Sequence, residues 1–574
     1  MKTLMLGNEA VARGLFESGC KIVSSYPGTP STEITEYASK YDQIYCEWAP
    51  NEKVAAEVAI GASISGARSF CAMKHVGLNV AADPIFTASY TGVNAGMIVA
   101  VADDPGMHSS QNEQDSRHYA IAAKLPMVEP ADSKECKDYI EKAYQLSEQF
   151  DTPVLYRLCT RVSHSQSLVE PKDRIEPELK EYKKDIAKYV MMPAMAKGRH
   201  EVVEKRMEAL HPIVEKRQSD LAMLAETTDL NKVIMGDTKI GIITAGISYQ
   251  YAREVFGDKA SYLKLGLIYP LPVNLIKDFA AKVDKLYVIE ELDDIIETHC
   301  RKIGVSVIGK EIFPTIGEFS QKLVAEKMNL PAKEYVTLEE NIPMRPPVMC
   351  AGCPHRGMFY VLSKLKLTVF GDIGCYTLGA QAPLAAIDTT ICMGASVSGI
   401  HGFNKARPDS AKKSVCVIGD STFMHSGVTG LINIAYNQGH STVIILDNSI
   451  TGMTGHQQNP TTGYTIKGDP TSAVDLEALC HAVGIKRVRV VDPHDLAAAE
   501  QAVREEIAVD EPSVIIARRP CALLKYVKHN PPLKVYSDKC KSCKACLKVG
   551  CPAISFKDGK SVIDPTQCVG CSLC

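Results

Sequence analysis

Two polar residues, each following a short apolar run, are placed to bind a metal ion together. Asp420 follows the run 415–418, and Asn448, 28 residues later, follows the run 442–446. Each side chain offers a hard oxygen, the donor type that Mg²⁺ prefers when phosphate oxygens are its other ligands. Small residues beside them would let a diphosphate approach the backbone. The pattern predicts a site for magnesium and a diphosphate.

A strand, a helix and a second strand would bring these two oxygens together. The segment 423–437 between the runs carries apolar residues at helical spacing. A right-handed βαβ unit places the carboxyl ends of both strands at one sheet edge, where open α/β sheets bind ligands. We therefore expect Asp420 and Asn448 to face one crevice. The alternative is an ordinary βαβ unit with polar strand ends.

The strongest signal is a cysteine-rich tail. Of the 20 cysteines, seven lie in the last 35 residues: Cys540, Cys543, Cys546, Cys551, Cys568, Cys571 and Cys574. Two CxxCxxC runs, each completed by a distant fourth cysteine, are the pattern of two-cluster bacterial ferredoxins. The tail is predicted to bind one or two 4Fe-4S clusters, with zinc as the alternative.

The ligand sets of the two clusters differ. The crossover rule assigns the second run together with Cys551 to one complete cluster. The first run would lack a fourth ligand, because the sequence ends at Cys574. We expect either that the sequence is cut short, or that this cluster is absent, incomplete or completed from elsewhere.

Residues 1–170 alternate apolar runs and helical segments, as an α/β domain does. Thr29 lies in a tight turn after a strand, and Asn51 can cap a helix whose first turn contains Glu52. The polar loop 103–115 follows another strand, a usual place for substrate contacts. Each feature alone is also typical of ordinary structure.

The middle of the chain changes character twice. Residues 171–238 are rich in Lys and Glu, and the segments 176–189 and 200–226 are patterned as exposed amphipathic helices, so we predict a helical connector. The α/β pattern returns in a small domain at 239–335, and prolines at 343–347 mark a boundary.

The next domain, 345–525, opens with Cys350-x2-Cys353-Pro354-His355. A CxxC with a nearby His could suggest zinc, but no second pair follows at ligand spacing within the domain. Two turns of small residues, one with Gly374 and Cys375 and one with Gly394, could line a diphosphate pocket.

Composition excludes other classes of partner. A net charge of −3 gives no sign of a nucleic-acid partner. The N-terminus has Asn8 and Glu9 where a signal peptide would be apolar, and the longest uncharged stretch, 84–102, is broken by Pro and Gly. We expect a cytoplasmic protein without a membrane span.

Taken together, these features resemble the 2-oxoacid:ferredoxin oxidoreductase family over essentially the whole chain, and most closely its members that act on arylpyruvates such as indolepyruvate. The motifs that carry the resemblance are Tyr26-Pro27-Gly28-Thr29-Pro30, Glu47-Trp48 through Glu52-Lys53, Pro346-Pro347 through Cys353-Pro354-His355-Arg356-Gly357, Gly419-Asp420-Ser421, Asp447-Asn448 and the cysteine tail. Ser421 stands where the thiamine-diphosphate fingerprint usually has Gly.

The resemblance implies a multidomain α/β fold. Residues 1–170 and 345–525 would be doubly wound parallel-sheet domains that bind the aminopyrimidine and the diphosphate of thiamine diphosphate. Residues 239–335 would resemble the C-terminal domain of transketolase, and 530–574 a bacterial ferredoxin.

The resemblance also implies roles for single residues. Glu52 would be the carboxylate that tautomerises the aminopyrimidine, and Thr29 would lie near the oxoacid. Asp420, Asn448 and the carbonyl of Ile450 would bind Mg²⁺. The other residues near the cofactor would be Cys353, His355, Gly374, Cys375, Gly394, Gly419 and Ser421.

The implied activity is oxidative decarboxylation of an arylpyruvate to an arylacetyl-coenzyme A and CO₂, with electrons passed through 4Fe-4S clusters to ferredoxin. A smaller β subunit would complete a dimer of heterodimers. Three alternatives stay open: the same chemistry on pyruvate or a branched-chain oxoacid, a non-oxidative decarboxylase, and a non-catalytic electron carrier on a degenerate scaffold.

Overall fold

The computed structural model describes residues 2–215, 230–331, 340–343 and 346–574. The chain forms two compact units, Met1–Thr337 and Leu338–Cys574, called here the N-terminal and C-terminal units. Each unit is built on a mainly or wholly parallel sheet, so the predicted α/β class is confirmed.

The largest sheet of the N-terminal unit has seven strands. In spatial order they are Leu267–Tyr269, Met127–Val128, Val154–Cys159, Met97–Asp103, Ser69–Lys74, Ile22–Ser25 and Tyr45–Trp48. All neighbours are parallel except the first pair. The strands Ser69–Lys74 and Met97–Asp103 are buried along their whole length, as expected for a parallel sheet covered on both faces.

A second sheet of this unit has four strands: Lys285–Ile289, Ile240–Ala245, Ser261–Leu265 and Lys232–Ile234. One hydrophobic core contains residues of both sheets, including Val99 and Leu263. The regions 1–170 and 239–335 therefore share a core, and the strand Lys232–Ile234 joins the second sheet from outside the predicted range. Thr3–Leu6 and Gln166–Val169 form a separate antiparallel pair.

The helices of the N-terminal unit mostly connect and cover these strands. They are Gly7–Glu17, Thr32–Ala38, Glu52–Ile64, His75–Val80, Ala82–Thr91, Arg117–Ala123, Ser133–Gln149, Thr160–His164, Ile186–Tyr189, Pro193–Val214, Gly246–Phe256, Val273–Ala280, Ile295–Lys302 and Gln321–Lys327.

The predicted connector differs from the observed one. A helix over 176–189 is wrong except at Ile186–Tyr189. Pro177 has no amide hydrogen, and the amides of Ile175 and Lys180 donate to carbonyls of the folded α/β domain instead of to a helix. The second predicted helix exists as Pro193–Val214 and packs on Ala82–Thr91, whereas 216–226 lie outside the described residues.

The C-terminal unit contains a five-stranded parallel sheet. Its order is Thr368–Phe370, Ser414–Gly419, Thr442–Asp447, Ser513–Arg518 and Arg487–Val491. The longer helices around it are His355–Leu365, Ala395–Ala406, Val428–Tyr436, Leu476–Ala482 and Leu496–Glu506. The tail carries one short helix, Ala545–Val549, and a hairpin of Ile554–Lys557 with Lys560–Ile563.

The helix after Gly419 begins earlier than predicted. It starts with Asp420–Thr422, continues through a π-helical turn at Phe423–Gly427 and ends as Val428–Tyr436. Asp420 is therefore both the end of a strand and the start of a helix. In the described part of the chain, no helix is long and apolar enough to cross a membrane.

Two buried arginines hold the carboxyl edge of the seven-stranded sheet together. Arg157 pairs with Asp103 at 2.8 Å and with Glu129 at 2.6 Å. Arg117 pairs with Asp115 and also reaches Glu290, which follows a strand of the second sheet. These charges are buried, so each carboxylate depends on its arginine.

Replacing Arg117 with Met is expected to destabilise the N-terminal unit by about 3–5 kcal/mol, because it leaves buried carboxylates without their cation. The midpoint of urea unfolding, followed by circular dichroism, measures the change. Lys322→Gln removes an exposed ion pair with Glu326 and is the control, with an expected cost of about 1 kcal/mol or less. Equal costs for both variants would contradict the role of Arg117.

Candidate cofactor and substrate site

Oxygen atoms from three residues converge at the carboxyl edge of the five-stranded sheet. The side-chain oxygen of Asn448 lies 3.1 Å from Oδ1 of Asp420 and 2.7 Å from the carbonyl oxygen of Ile450. All three residues are buried. The two polar strand ends singled out in the sequence are therefore neighbours in space.

Three acceptor oxygens at this spacing repel each other unless something positive lies among them. Either the Asn448 amide rotates and donates to both neighbours, or a cation is bound by all three oxygens. Burial, with a smaller contribution from the charge of Asp447, raises the pKa of Asp420 to about 7. A bound cation would stabilise the carboxylate, so this donor set fits Mg²⁺.

Two further contacts of Asp420 were not predicted. The Thr461 hydroxyl donates to its Oδ2 at 3.1 Å, and the Asn459 amide donates to the same oxygen at 3.4 Å. Both come from the loop after Ile450. The polar sequence 457–462 was a possible signal, but nothing in its spacing indicates that the loop returns to Asp420.

The glycines near this site have a packing role. A Cβ atom on Gly374 or Gly419 would lie 2.4 Å or 2.7 Å from the Tyr376 ring, so both positions make room for that ring. Gly394 has a φ of 84°, and its amide donates to the buried Asp372 carboxylate at 2.9 Å. The sequence attributed these small residues to a diphosphate alone.

The other predicted cofactor residues of this unit lie in the same region. Nε2 of His355 is 3.4 Å from Nδ2 of Asn448, and burial lowers the pKa of His355 to about 4. Burial raises the pKa of Cys353 to about 12 and that of Cys375 to about 11. These side chains are therefore uncharged near neutral pH. Ser421 accepts a hydrogen bond from Thr451 at 2.9 Å.

The four cysteines that the crossover rule assigns to one cluster line a single cavity. Cys551, Cys568, Cys571 and Cys574 are joined there by small and apolar residues, including Ala351 and Gly352. The amide of Leu533 points at the Cys568 sulfur at 3.4 Å, the kind of contact that stabilises a cluster thiolate. Four sulfurs around one apolar cavity fit a 4Fe-4S cluster.

The first cysteine run has a different environment. The Cys546 sulfur lies 3.1 Å from the Ser561 hydroxyl, and Cys543 is exposed. Hydrogen bonds, first that of the Ser561 backbone, lower the pKa of Cys540. Among the described residues, no group of three or more His, Cys, Asp or Glu side chains is placed around a single metal ion, so zinc gains no support at Cys350–His355. The cysteines of a 4Fe-4S cluster bind different irons, so they need not surround a single metal position.

In the N-terminal unit, the predicted catalytic residues lie at the carboxyl edge of the seven-stranded sheet. Glu52 is buried at the start of the helix Glu52–Ile64, and a Cβ on Gly77 would lie 2.6 Å from its Oε1. The carbonyl of Thr29 accepts a 3.5 Å hydrogen bond from Ser109. Lys74, which the sequence did not single out, donates to the Ser109 carbonyl at 2.6 Å.

Comparison with known proteins gives the following matches. Residues 13–223 match the family model described as pyruvate flavodoxin/ferredoxin oxidoreductase, thiamine diP-bdg, and residues 372–517 match the thiamine pyrophosphate enzyme C-terminal TPP binding domain. Indolepyruvate oxidoreductase subunit IorA from Archaeoglobus fulgidus is 38% identical over 100% of this chain and 96% of its own length. The same subunit from Methanothermobacter marburgensis is also 38% identical over 100% of this chain and 96% of its own length. A solved 2-oxoglutarate:ferredoxin oxidoreductase from Magnetococcus marinus is 19% identical, covers 57% of this chain and 65% of its own, and has a TM-score of 0.45.

Arg356 joins the cysteine tail to the start of the C-terminal unit. Its buried guanidinium donates to the carbonyls of Val549 and Gly550 on one side and of Met349 and Cys350 on the other. Gly550 directly precedes Cys551, so this one side chain fixes a lining residue of the cysteine cavity.

Arg356→Met is expected to loosen the tail, because four hydrogen bonds worth about 1 kcal/mol each are lost. Iron bound per chain after anaerobic reconstitution should fall, and protease should cut the tail faster. Lys in place of Arg356 should rescue little, since an ammonium cannot reproduce the guanidinium fork. The exposed Arg407→Met is the control. Wild-type iron content and protease resistance in Arg356→Met would refute the anchoring role.

Proposed function

The chain belongs to the family of indolepyruvate oxidoreductase subunit IorA, and from this premise we propose the reaction that it catalyses. It decarboxylates and oxidises an arylpyruvate such as indolepyruvate in a thiamine-dependent reaction. The products are CO₂ and an arylacetyl-coenzyme A, and the two electrons pass through 4Fe-4S clusters to ferredoxin.

The observation that carries the proposal is the position of the segment 351–356 within the C-terminal unit. Ala351 and Gly352 line the cysteine cavity, and His355 contacts Asn448 of the oxygen site. Six residues thus connect the candidate cofactor site with the candidate cluster site. A decarboxylase that releases an aldehyde has no use for this connection, whereas an oxidoreductase needs a short path for single electrons.

Thiamine diphosphate, when bound, supplies the electron sink that lets the substrate carboxyl group leave as CO₂. Asp420, Asn448 and the Ile450 carbonyl would hold the Mg²⁺ that binds the diphosphate. His355 and Cys353 would line this site as neutral groups. Glu52 would exchange a proton with the aminopyrimidine, and its buried position keeps water from that carboxylate.

The proposal includes partners and location. The related proteins are named as subunits, which supports a smaller β subunit as partner, and we extend this to a dimer of heterodimers. Ferredoxin is the proposed electron acceptor, and coenzyme A the acyl acceptor. None of the 20 cysteines is paired in a disulfide bond, which supports a cytoplasmic location.

Glu52→Gln is expected to reduce the rate of viologen reduction at least about 100-fold, because proton transfer by a positioned side chain contributes about 10²–10⁴. The assay is anaerobic and contains the chain with its partner subunit, indolepyruvate, coenzyme A, thiamine diphosphate and Mg²⁺. The exposed Glu57→Gln, on the same helix, is the matched control and should retain the wild-type rate.

The assay separates the alternatives. Reduction of viologen with pyruvate but not with indolepyruvate would refute the assignment of the substrate but not the proposed reaction type. Aldehyde release without viologen reduction would favour a decarboxylase. If no oxoacid supports viologen reduction although cofactor and clusters are bound, the enzymatic proposal is refuted.

Asp420→Asn tests the oxygen site separately. Because burial already disfavours the charged carboxylate, the neutral isostere should leave the unfolding temperature of the cofactor-free protein unchanged or raise it. The stabilisation by thiamine diphosphate with Mg²⁺, about 2.7 kcal/mol at 100 times the dissociation constant in the wild type, should be lost. Undiminished stabilisation of the variant would show that Asp420 holds no metal.

A further inference from the structure

Lys74 is a buried lysine at the carboxyl edge of the seven-stranded sheet. It ends the strand Ser69–Lys74 and is 7% exposed. Its ammonium donates to the Ser109 carbonyl at 2.6 Å and to the Ser109 hydroxyl at 3.4 Å. The same hydroxyl donates to the carbonyl of Thr29, so Lys74 lies one residue away from a predicted substrate contact.

Lys74 differs from the other buried lysines of the described chain. Lys137 forms ion pairs with Glu17 and Asp138, and Lys264 forms one with Glu135. No carboxylate of the described residues lies within ion-pair distance of Lys74. Ser109 accepts hydrogen bonds from this ammonium, but no carboxylate of the described chain neutralises its buried charge, and a bound anion would do so.

The carboxylate whose charge acts on Lys74 lies beyond ion-pair distance and is held by hydrogen bonds from other groups. Asp104 attracts Lys74, but its carboxylate accepts hydrogen bonds from the Ser109 amide, the Ser110 hydroxyl and the Thr160 hydroxyl. Burial lowers the pKa of Lys74 to about 8, which leaves the ammonium charged near neutral pH. An anion arriving at this edge would find a desolvated positive charge ready to bind it.

The position of this charge fits the proposed substrate. A Cβ atom on Gly28, beside Thr29, would lie 3.3 Å from the Lys74 Cβ, so the lysine lies directly under the Thr29 turn. Gly77, against which the Glu52 carboxylate packs, is three residues further along the same chain segment. A 2-oxoacid bears its carboxylate next to the carbon that reacts, and therefore needs a cation close to the catalytic groups.

We propose that the ammonium of Lys74 binds the carboxylate of the 2-oxoacid substrate. This inference rests on the proposed function and names the residue that selects an acid over the corresponding neutral carbonyl compound. Ser109 positions the ammonium, and Thr29 lies beside it.

The test compares two ligands of equal shape, 3-phenylpropionate and its neutral amide, 3-phenylpropanamide. Their dissociation constants are measured by calorimetry on the complex of the chain with its partner subunit, loaded with thiamine diphosphate and Mg²⁺. The wild type should bind the carboxylate about 10- to 100-fold more tightly than the amide, as a charge-assisted hydrogen bond predicts. Lys74→Met should abolish this preference and leave the affinity for the amide unchanged.

Two further variants guard against a structural effect. Lys74→Arg keeps the charge and should retain part of the preference for the carboxylate even if the turn is disturbed. Lys134→Gln changes an exposed lysine of the same unit and should behave as the wild type. Equal weakening of both ligands in Lys74→Met would mean that Lys74 only supports the loop, and a wild type without preference for the carboxylate would overturn the proposal without any variant.

Failure of the inference can be told apart from failure of the proposed function. If the wild type oxidises arylpyruvates and Lys74→Met has an unchanged KM, the reaction stands and the role of Lys74 is refuted. If the wild type prefers the carboxylate through Lys74 but reduces no viologen with any oxoacid, the anion site stands and the proposed reaction is refuted.

Discussion

Both units use the same property of parallel sheets, which gather strand ends from distant parts of the sequence at one edge. Charged and polar side chains placed there are partly removed from water, so each must be matched by a partner or a ligand. In the N-terminal unit, Arg117 and Arg157 form ion pairs with four carboxylates at that edge: Asp115, Glu290, Asp103 and Glu129. Charged side chains at these edges that form no ion pair within the protein are available to bind ligands.

In the C-terminal unit, one segment of the chain connects the candidate cofactor site with the candidate cluster site. The motif that begins at Cys350 supplies two residues to the cysteine cavity, the anchoring guanidinium of Arg356 and the imidazole of His355. Arg356 anchors this stretch, because its guanidinium donates to carbonyls of Met349 and Cys350 on one side and of Val549 and Gly550 on the other. Such anchoring suits electron transfer, which needs a fixed separation between donor and acceptor but little movement.

Local patterns in the sequence predicted the parts of the site that depend on local geometry. Asp420 and Asn448 were found because a βαβ unit fixes where its strands end, and the cavity cysteines because their spacing is a ligand pattern. Lys74, Asn459 and Thr461 were missed because their roles depend on where a loop returns. The helix expected over 176–189 failed for a related reason: the Lys180 amide donates to the distant carbonyl of Gly66 instead of to a helix. The Tyr376 ring, which explains two glycines, likewise has no signature in the sequence.

The two sheet edges favour ligands of opposite charge. At Asp420, burial and the charge of Asp447 raise the pKa of the carboxyl group, and a cation bound by Asp420, Asn448 and the Ile450 carbonyl would offset the cost of charging it. At Lys74, an ammonium is buried without a carboxylate at ion-pair distance in the described chain, and its lowered pKa reflects the opposite cost. One edge is thus suited to a cation and the other to an anion. A reaction that joins a metal-bound diphosphate cofactor with an oxoacid needs both, and neither site could replace the other, because each would repel the other's ligand.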